Sequence, residues 1–592
     1  MKYQFIKDLE QHLSGTFGVA GVSAPVDLCP SEFTGDLTIN CFVLAKQLRK
    51  GPNDIVPAVL AFVSAHADVA AAEVVKAFVN VTLKPAALFR DTVADPTSVL
   101  ADTVVPAADQ RRVLVEFSAP NTNKPQHLGH VRNNTIGMTI VSILKRAGHD
   151  VVPVNLVNDR GIHICKSMLA YQRFGNGTTP ASAGRKGDHL VGDYYVAFDK
   201  ELRRQLAELK EKQPELAEKS NEDLFQQTEI GQAAQQMLVD WEKGDPAVRK
   251  LWETMNGWVF DGFAQTYKRM GVDFVRTYLE SQTYMLGKDI IEDGLARGVF
   301  TRRPDGAVVI DLAKYKLDQK VVLRSDGTSV YITQDIGTTL LKQNDYKPDS
   351  MIWVVGDEQI HHFKVLFAIL KELGYPWAAN LYHMAYGMVN LPTGKMKSRE
   401  GTVVDADNLF EELHELARQA ILERSSEAPA DLEDRAEKIG MGALKFMLQR
   451  VNPKTTMMFD PQASIAFEGD TGPYVMYACA RISSMLRKAD PVQMAKPVDW
   501  SVLGLPEERD LALRIASFGT IVRKAAADLD PSVLANYLLD VAKSFSRFYG
   551  ACPILAAADE TQRRARLELA AGARMVLAAG LDTLTIPTVE NM

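Results

Sequence analysis

Residues 113–157 constrain the fold of this chain more than any other stretch. Val113-Leu-Val-Glu-Phe-Ser118 is a short apolar run with the composition of a buried strand. A loop rich in proline and asparagine follows at 119–126. Helical periodicity then runs from about 128 to 147 and stops at Gly148, a C′ glycine by position. A second apolar run occupies 151–157. Strand, helix and strand at this spacing predict a right-handed βαβ unit. Its first loop then lies at the C-terminal strand edge, where open parallel sheets bind ligands.

At 592 residues the chain exceeds what one hydrophobic core supports, so about three domains are expected. Residues 1–108 read as a small α+β domain. Amphipathic stretches at 6–13 and 69–79 mix there with strand-like runs at 37–43 and 79–83, broken by Gly15, Gly18, Gly21, Pro25 and Pro30. Residues 109–406 read as the parallel-sheet domain, with a charged helical insertion at about 185–270. Strand-like runs return at 307–311, 321–323, 351–355 and 383–389. Residues 407–592 are almost wholly helical in pattern and predict a bundle. The expected class is α/β: a Rossmann-like parallel-sheet domain, a small N-terminal α+β domain and a C-terminal all-α bundle.

Composition mainly excludes. No apolar run of about 18 residues is present, which argues against a membrane span. The start, MKYQFIKDLEQHL, lacks a secretory profile. Five scattered cysteines form no CxxC pair, which excludes a cysteine-based zinc site and speaks against a disulfide framework. A reducing compartment, the cytoplasm, is therefore expected. A net charge of −7 advertises no nucleic-acid partner, so any RNA contact must use local basic surface.

The loop after the first strand carries the chemistry. It reads Glu116-Phe-Ser-Ala-Pro120-Asn121-Thr-Asn-Lys124-Pro-Gln-His127-Leu-Gly129-His130. Two histidines three apart at a helix start face one side. Gly129 permits close approach of a ligand, and the helix N-terminus adds free N–H groups and partial positive charge. This suits a nucleotide, with imidazoles near phosphate. A histidine helix cap is the plainer reading of either residue alone.

The string resembles the HIGH signature of class I aminoacyl-tRNA synthetases, as His127-Leu128-Gly129-His130. About 265 residues further on, Gly394-Lys395-Met396-Lys397-Ser398-Arg399 resembles the KMSKS loop of the same family. The match departs at its second lysine, whose place Ser398 holds. Arginyl-tRNA synthetases commonly lack that lysine and carry one just ahead of the first signature, where Lys124 stands. The resemblance thus implies catalytic roles for His127, His130, Lys124 and Lys395. It implies ATP contacts at Pro120, Asn121, His127, Gly129, His130, Gly356, Asp357, Met388, Lys395 and Ser398. ATP is then a substrate and Mg²⁺ arrives with it, since no carboxylate cluster demands a dedicated metal site.

Selecting a guanidinium needs carboxylates arranged for a fork, beside flat apolar walls. Tyr331-Ile-Thr-Gln-Asp335 offers both if a helix starts near Thr333, and Glu116 offers a second carboxylate. Taken alone, Asp335 also fits a helix cap and Glu116 a surface strand end. The family implies that Glu116, Tyr331 and Asp335 meet the guanidinium, and that Asn121, His127 and Gln359 meet the α-amino and carboxylate end. Tyr386-Gly-Met388-Val resembles the backbone segment facing adenine. Phe467-Glu-Gly-Asp470-Thr-Gly-Pro-Tyr474-Val-Met476-Tyr477-Ala-Cys-Ala-Arg481 and Ser544-Phe-Ser-Arg547-Phe-Tyr549 resemble the anticodon-binding helices. Asp470 stands there where asparagine is usual, and Met476 where glutamine is usual. Tyr474, Tyr477, Arg481 and Arg547 are the implied tRNA contacts; ordinary bundle packing is their plainer reading. The expected protein is a monomer that takes arginine, ATP and tRNA(Arg) and activates arginine only with tRNA present. A class I enzyme for another amino acid, or an RNA-binding paralogue without adenylation, are the competing readings.

Overall fold

The computed structural model describes residues 3–30, 32–392, 404–424, 427–494 and 496–590. The chain begins with helix α1 (Gln4–Phe17) and strands β1 (Val26–Leu28) and β2 (Leu37–Asn40). Helices α2 (Cys41–Leu48) and α3 (Pro52–Ala65) follow, then strands β3 (Val69–Val75) and β4 (Phe78–Leu83). The strands form an antiparallel sheet in the order β1-β2-β4-β3. Two expectations change here. The apolar run 37–43 is split, because the Asn40 side chain accepts from the N–H groups of Phe42 and Val43 and starts a helix. The stretch 69–79, expected to be amphipathic, is the β3–β4 hairpin, its alanines and valines paired with β4.

Short helices Pro85–Arg90 (α4) and Pro96–Ala101 (α5) lead to β5 (Arg112–Glu116), α6 (Leu128–Arg146) and β6 (Asp150–Val157). Then come α7 (Ile162–Phe174) and the all-helical insertion, α8 (Gly187–Lys212), α9 (Glu229–Lys243) and α10 (Pro246–Met270). Strand β7 (Arg276–Leu279) and helix α11 (Lys288–Ala296) precede a small antiparallel sheet of β8 (Thr301–Arg302), β9 (Val308–Ile310) and β10 (Lys320–Leu323). Helix α12 (Tyr331–Tyr346), β11 (Ser350–Gly356), α13 (Ile360–Glu372) and β12 (Leu381–Tyr386) complete the domain.

The main sheet has the order β12-β11-β5-β6-β7, all parallel. The chain enters at β5, builds to one side and then returns to build on the other. The switch point therefore lies between β5 and β11, where such sheets bind ligands. Side chains of β5 alternate: Val113, Val115 and Phe117 join one core, and Leu114 the opposite one. Phe117 leaves no room on α6, since a Cβ at Gly137 would stand 2.2 Å from its ring.

The last region is helical: α14 (Ala406–Leu422), α15 (Leu432–Arg450), α16 (Gly472–Arg487), α17 (Pro506–Asp528), α18 (Pro531–Ala551) and α19 (Glu560–Thr583). One core runs from the N-terminal region through α6 into this bundle; a second fills the other face of the sheet, and a third lies among the insertion helices. The second half of α6 is anchored to the end of α19. Thr139 Oγ1 donates to the Leu584 carbonyl (3.5 Å), and Arg146 donates to Thr583 Oγ1 (3.2 Å) and Asp582 (2.9 Å). No described helix is long and apolar enough to cross a membrane.

Candidate active site

The loop after β5 is bent by force of its contacts. Ser118 and Ala119 both take positive φ (79° and 48°), which costs a non-glycine residue of order 1–3 kcal/mol. Buried partners hold them there. The Ser118 N–H donates to Asn133 Oδ1 (2.6 Å), the Ala119 N–H to Asn155 Oδ1 (3.0 Å), and Ser118 Oγ meets the Tyr267 hydroxyl (2.7 Å). Asn121 then pairs with Asn158 beyond β6, where Asn158 N–H donates to the Pro120 carbonyl and Thr122 N–H to the Asn158 carbonyl, both 3.0 Å.

His127 is the N-cap of α6. Its Nδ1 accepts from the Gly129 N–H (3.1 Å), and His130 Nδ1 accepts from the His127 N–H (3.1 Å), a capping box built from two imidazoles. The cap reading is therefore met, with both Nδ1 atoms taken up by the backbone. A neutral imidazole that accepts at Nδ1 carries its proton on Nε2. Burial, then Lys124, pulls His127 down to about 4; burial, His127 and Lys124 hold His130 well below the usual range. Burial also lowers Lys124. At neutral pH the helix start thus presents two neutral Nε2–H donors beside a lysine. The rings lie 3.9 Å apart, and a Cβ on Gly129 would stand 2.9 Å from the His127 ring.

The neighbouring strands bring up the other candidates. Gly356 ends β11 opposite Tyr386 of β12, with Asp357 and Gln359 exposed just beyond it. Met388 is exposed, and its carbonyl accepts from Arg132 (2.9 Å) and from the Met457 N–H (2.9 Å). Arg132, fully buried on α6, also donates to the carbonyls of Pro453 (3.1 Å) and Thr455 (2.8 Å). This arginine, absent from the sequence reading, shapes the 386–388 segment. Lys395 and Ser398 lie outside the described residues.

On the other side, α12 starts at Tyr331 rather than near Thr333, with Val330 as its N-cap. Asp335 is therefore not a cap. It sits one turn in, on the face of the 77% exposed Tyr331, and its Oδ2 is 2.6 Å from His362 Nε2. Glu116 is not a surface strand end either: it is buried and forms an ion pair with the buried Lys342 of α12. Seven residues separate Asp335 from Lys342, so both lie on one helix face two turns apart. Glu280, in the short helix Glu280–Thr283 after β7, is a further carboxylate of this side. Burial, with Asp159 and Asp335 nearby and Arg160 opposing, pushes it up to about 6. Lys342 and Glu280 carried no local sequence signal, since their partners are remote in sequence.

In the bundle, Tyr477 and Tyr549 are exposed, and the Arg481 guanidinium lies 4.0 Å over the Tyr549 ring. Tyr474 bonds Ser546 (3.1 Å) and Arg547 bonds Asp510 (2.8 Å). The two departures from the family pattern have partners. Asp470 binds Arg450 (3.0 Å) and Lys543 (2.6 Å), and Met476 is buried against Gly442.

Two neutral imidazoles cap one helix at the switch point of a parallel sheet, with Lys124 just ahead of it, which is the arrangement that the class I aminoacyl-tRNA synthetase signature implies. Residues 97–460 match the family model described as tRNA synthetases class I (R), catalytic domain. Residues 4–83 match the arginyl tRNA synthetase N terminal domain, and 475–592 the DALR anticodon binding domain. Arginine–tRNA ligases of Flavobacterium psychrophilum and Bacteroides thetaiotaomicron are each 44% identical, over 95% of this chain and 94% of theirs. The solved arginyl-tRNA synthetase of Thermus thermophilus is similar over 99% of this chain and 100% of its own, with TM-score 0.78 and 28% identity. The chain belongs to the arginyl-tRNA synthetase family.

Proposed function

We propose that the cleft between the β5 and β11 loops makes arginyl-adenylate from ATP and arginine and passes the arginyl group to the 3′ end of tRNA(Arg). The capping box carries this reading: with both Nδ1 atoms occupied, the Nε2–H groups of His127 and His130 are donors for the α-phosphate, beside Lys124. A carboxylate oxygen of arginine attacks the α-phosphorus in line and pyrophosphate leaves. A ribose hydroxyl of the tRNA end then attacks the arginyl carbonyl and AMP leaves. Both steps rest on positioning and charge stabilisation. Lys395 and Ser398 complete the triphosphate side; Pro120, Gly129, Gly356, Asp357 and Met388 frame the nucleotide. Asp335 and Tyr331 receive the guanidinium; Glu116, expected beside them, is already neutralised by Lys342 and so is not open to it. Asn121 and Gln359 hold the amino acid's other end.

Mg²⁺ comes with ATP on phosphate oxygens and neutralises their charge. Among the described residues, the cluster with metal-ligand spacing is Asp188, His189 and Asp407, and Lys186 Nζ already lies 2.6 Å from Asp407 and 3.3 Å from Asp188. The ammonium stands where a cation would, which favours nucleotide-borne Mg²⁺ over a protein cage. Tyr474, Tyr477, Arg481 and Arg547 form the tRNA face of the bundle. The reading includes domains divided near residues 108 and 406, a monomer, and a cytoplasmic setting. ATP–pyrophosphate exchange with each amino acid, with and without tRNA, tests it. Exchange is expected with arginine alone and only when tRNA is present. Exchange with glutamine or cysteine but not arginine, or tRNA binding without any exchange, would overturn it.

A further inference from the structure

The polar cluster around Lys186 joins the insertion to the backbone beneath the first signature. Asp407, at the start of α14, accepts from Lys186 Nζ (2.6 Å) and lies 2.8 Å from His189 Nε2; both partners stand at the start of α8. Lys186 also donates to Thr266 Oγ1 of α10 (2.6 Å), and Asp188 beside it is fully buried. Asp405 faces His189 at 3.6 Å and caps α14, accepting from the Asp407 and Asn408 N–H groups. Lys186, His189, Asp188 and Asp405 thus gather around the Asp407 carboxylate. Exposed surface pairs contribute little to stability individually, but these are mostly shielded and share oxygens.

The backbone on either side of Asp405 is paired with the first signature. Leu128 N–H donates to the Val404 carbonyl (3.1 Å), Ala406 N–H donates to the Gln126 carbonyl (3.0 Å), and His127 faces Asp405 as an antiparallel bridge. Helix α8 touches the same loop from the other side, because a Cβ on Gly192 would stand 2.8 Å from Pro125 and 3.6 Å from the Lys124 Cα. The start of α8 therefore sets the place of both His127 and Lys124.

We propose that Asp407, held by Lys186 and His189, is a positioning residue for adenylate formation, fixing the 404–406 backbone against residues 126–128 so that His127 and Lys124 meet the triphosphate in register. The inference rests on the reading of His127 as a phosphate donor. A misplacement of about 1 Å at such a site costs on the order of 100-fold in rate. The test is tRNA-supported ATP–pyrophosphate exchange by the full chain, with kcat, both KM values and Tm. D407N is expected to lower kcat by about 10-fold or more, with arginine KM within about two-fold and Tm within a few degrees, and D407E to restore part of the rate. Exchange by folded D407N within about two-fold of the parent overturns the proposal, as does a loss confined to arginine KM. If D407N does not fold, H189N decides, since it removes one bond and leaves Lys186 in place. A kcat loss of about three-fold or more supports the proposal, and an unchanged kcat overturns it. A parent protein without exchange would instead overturn the phosphate reading, and this inference with it.

Discussion

Two imidazoles buried beside a lysine have to stay neutral, and that neutrality has a pH signature. The unfolded chain binds protons near pH 6.5, whereas folded His127 does so only near 4. Folding stability is therefore full above pH 6.5 and falls as the pH drops from there toward 4. Urea unfolding at stepped pH checks this, and H127N should shrink the drop. Asp335 makes a second prediction at this scale. If Asp335 receives the guanidinium as proposed, D335A removes a charge-assisted bond to it and should weaken arginine binding roughly 10- to 100-fold while ATP binding survives. An unchanged arginine affinity in calorimetry would take Asp335 out of the pocket. The histidines and Asp335 were legible because they lie in contiguous strings. Lys342 was not: in Leu340-Leu-Lys342-Gln-Asn-Asp it reads as a solvent-facing lysine, and only the fold brings Glu116 to it.

Between elements, the joint of α12 to β5 is that same buried pair. K342M should cost about 3–5 kcal/mol because it strands the Glu116 carboxylate, and the double variant K342M/E116Q should recover part of the loss. Chemical denaturation of the four proteins gives the coupling. Gly387 tests a second joint. A Cβ there would stand 2.6 Å from the Thr456 backbone nitrogen, so G387A must shift Met388. ATP KM should rise several-fold while arginine KM holds; a rise in both would place the adenine elsewhere. The βαβ unit was legible from its periodicity, down to Gly148 after α6. The β3–β4 hairpin was not, because an alanine–valine run satisfies a helical and a strand pattern alike until a partner strand chooses between them.

At the scale of the molecule, the ends of the chain's architecture are tied together. Arg509 of α17 binds Asp36 and donates to the Leu83 carbonyl (2.9 Å), and Trp500 stacks on Phe89 at 6.0 Å. The N-terminal sheet and the bundle are thereby joined, and the proposed tRNA face at Tyr477, Arg481 and Tyr549 can be tested on that frame. Removing one stacking base partner costs roughly 1–3 kcal/mol. Y549A should therefore raise tRNA KM by about 10-fold in aminoacylation, with kcat nearly kept. Equal tRNA KM in variant and parent would return Tyr549 to ordinary surface. The composition, acidic overall, hid this face entirely, since charge counts average over the whole surface.

Helix α6 opens on His127 and is braced at its other end by Thr583 and Leu584, more than four hundred residues later in synthesis. A ribosome has already made the nucleotide loop long before it makes that brace. A chain made only as far as the start of α19 would have its signatures written while α6 still lacked the bonds to residues 582–584. Full packing of α6 therefore waits on the synthesis of residues 582–584.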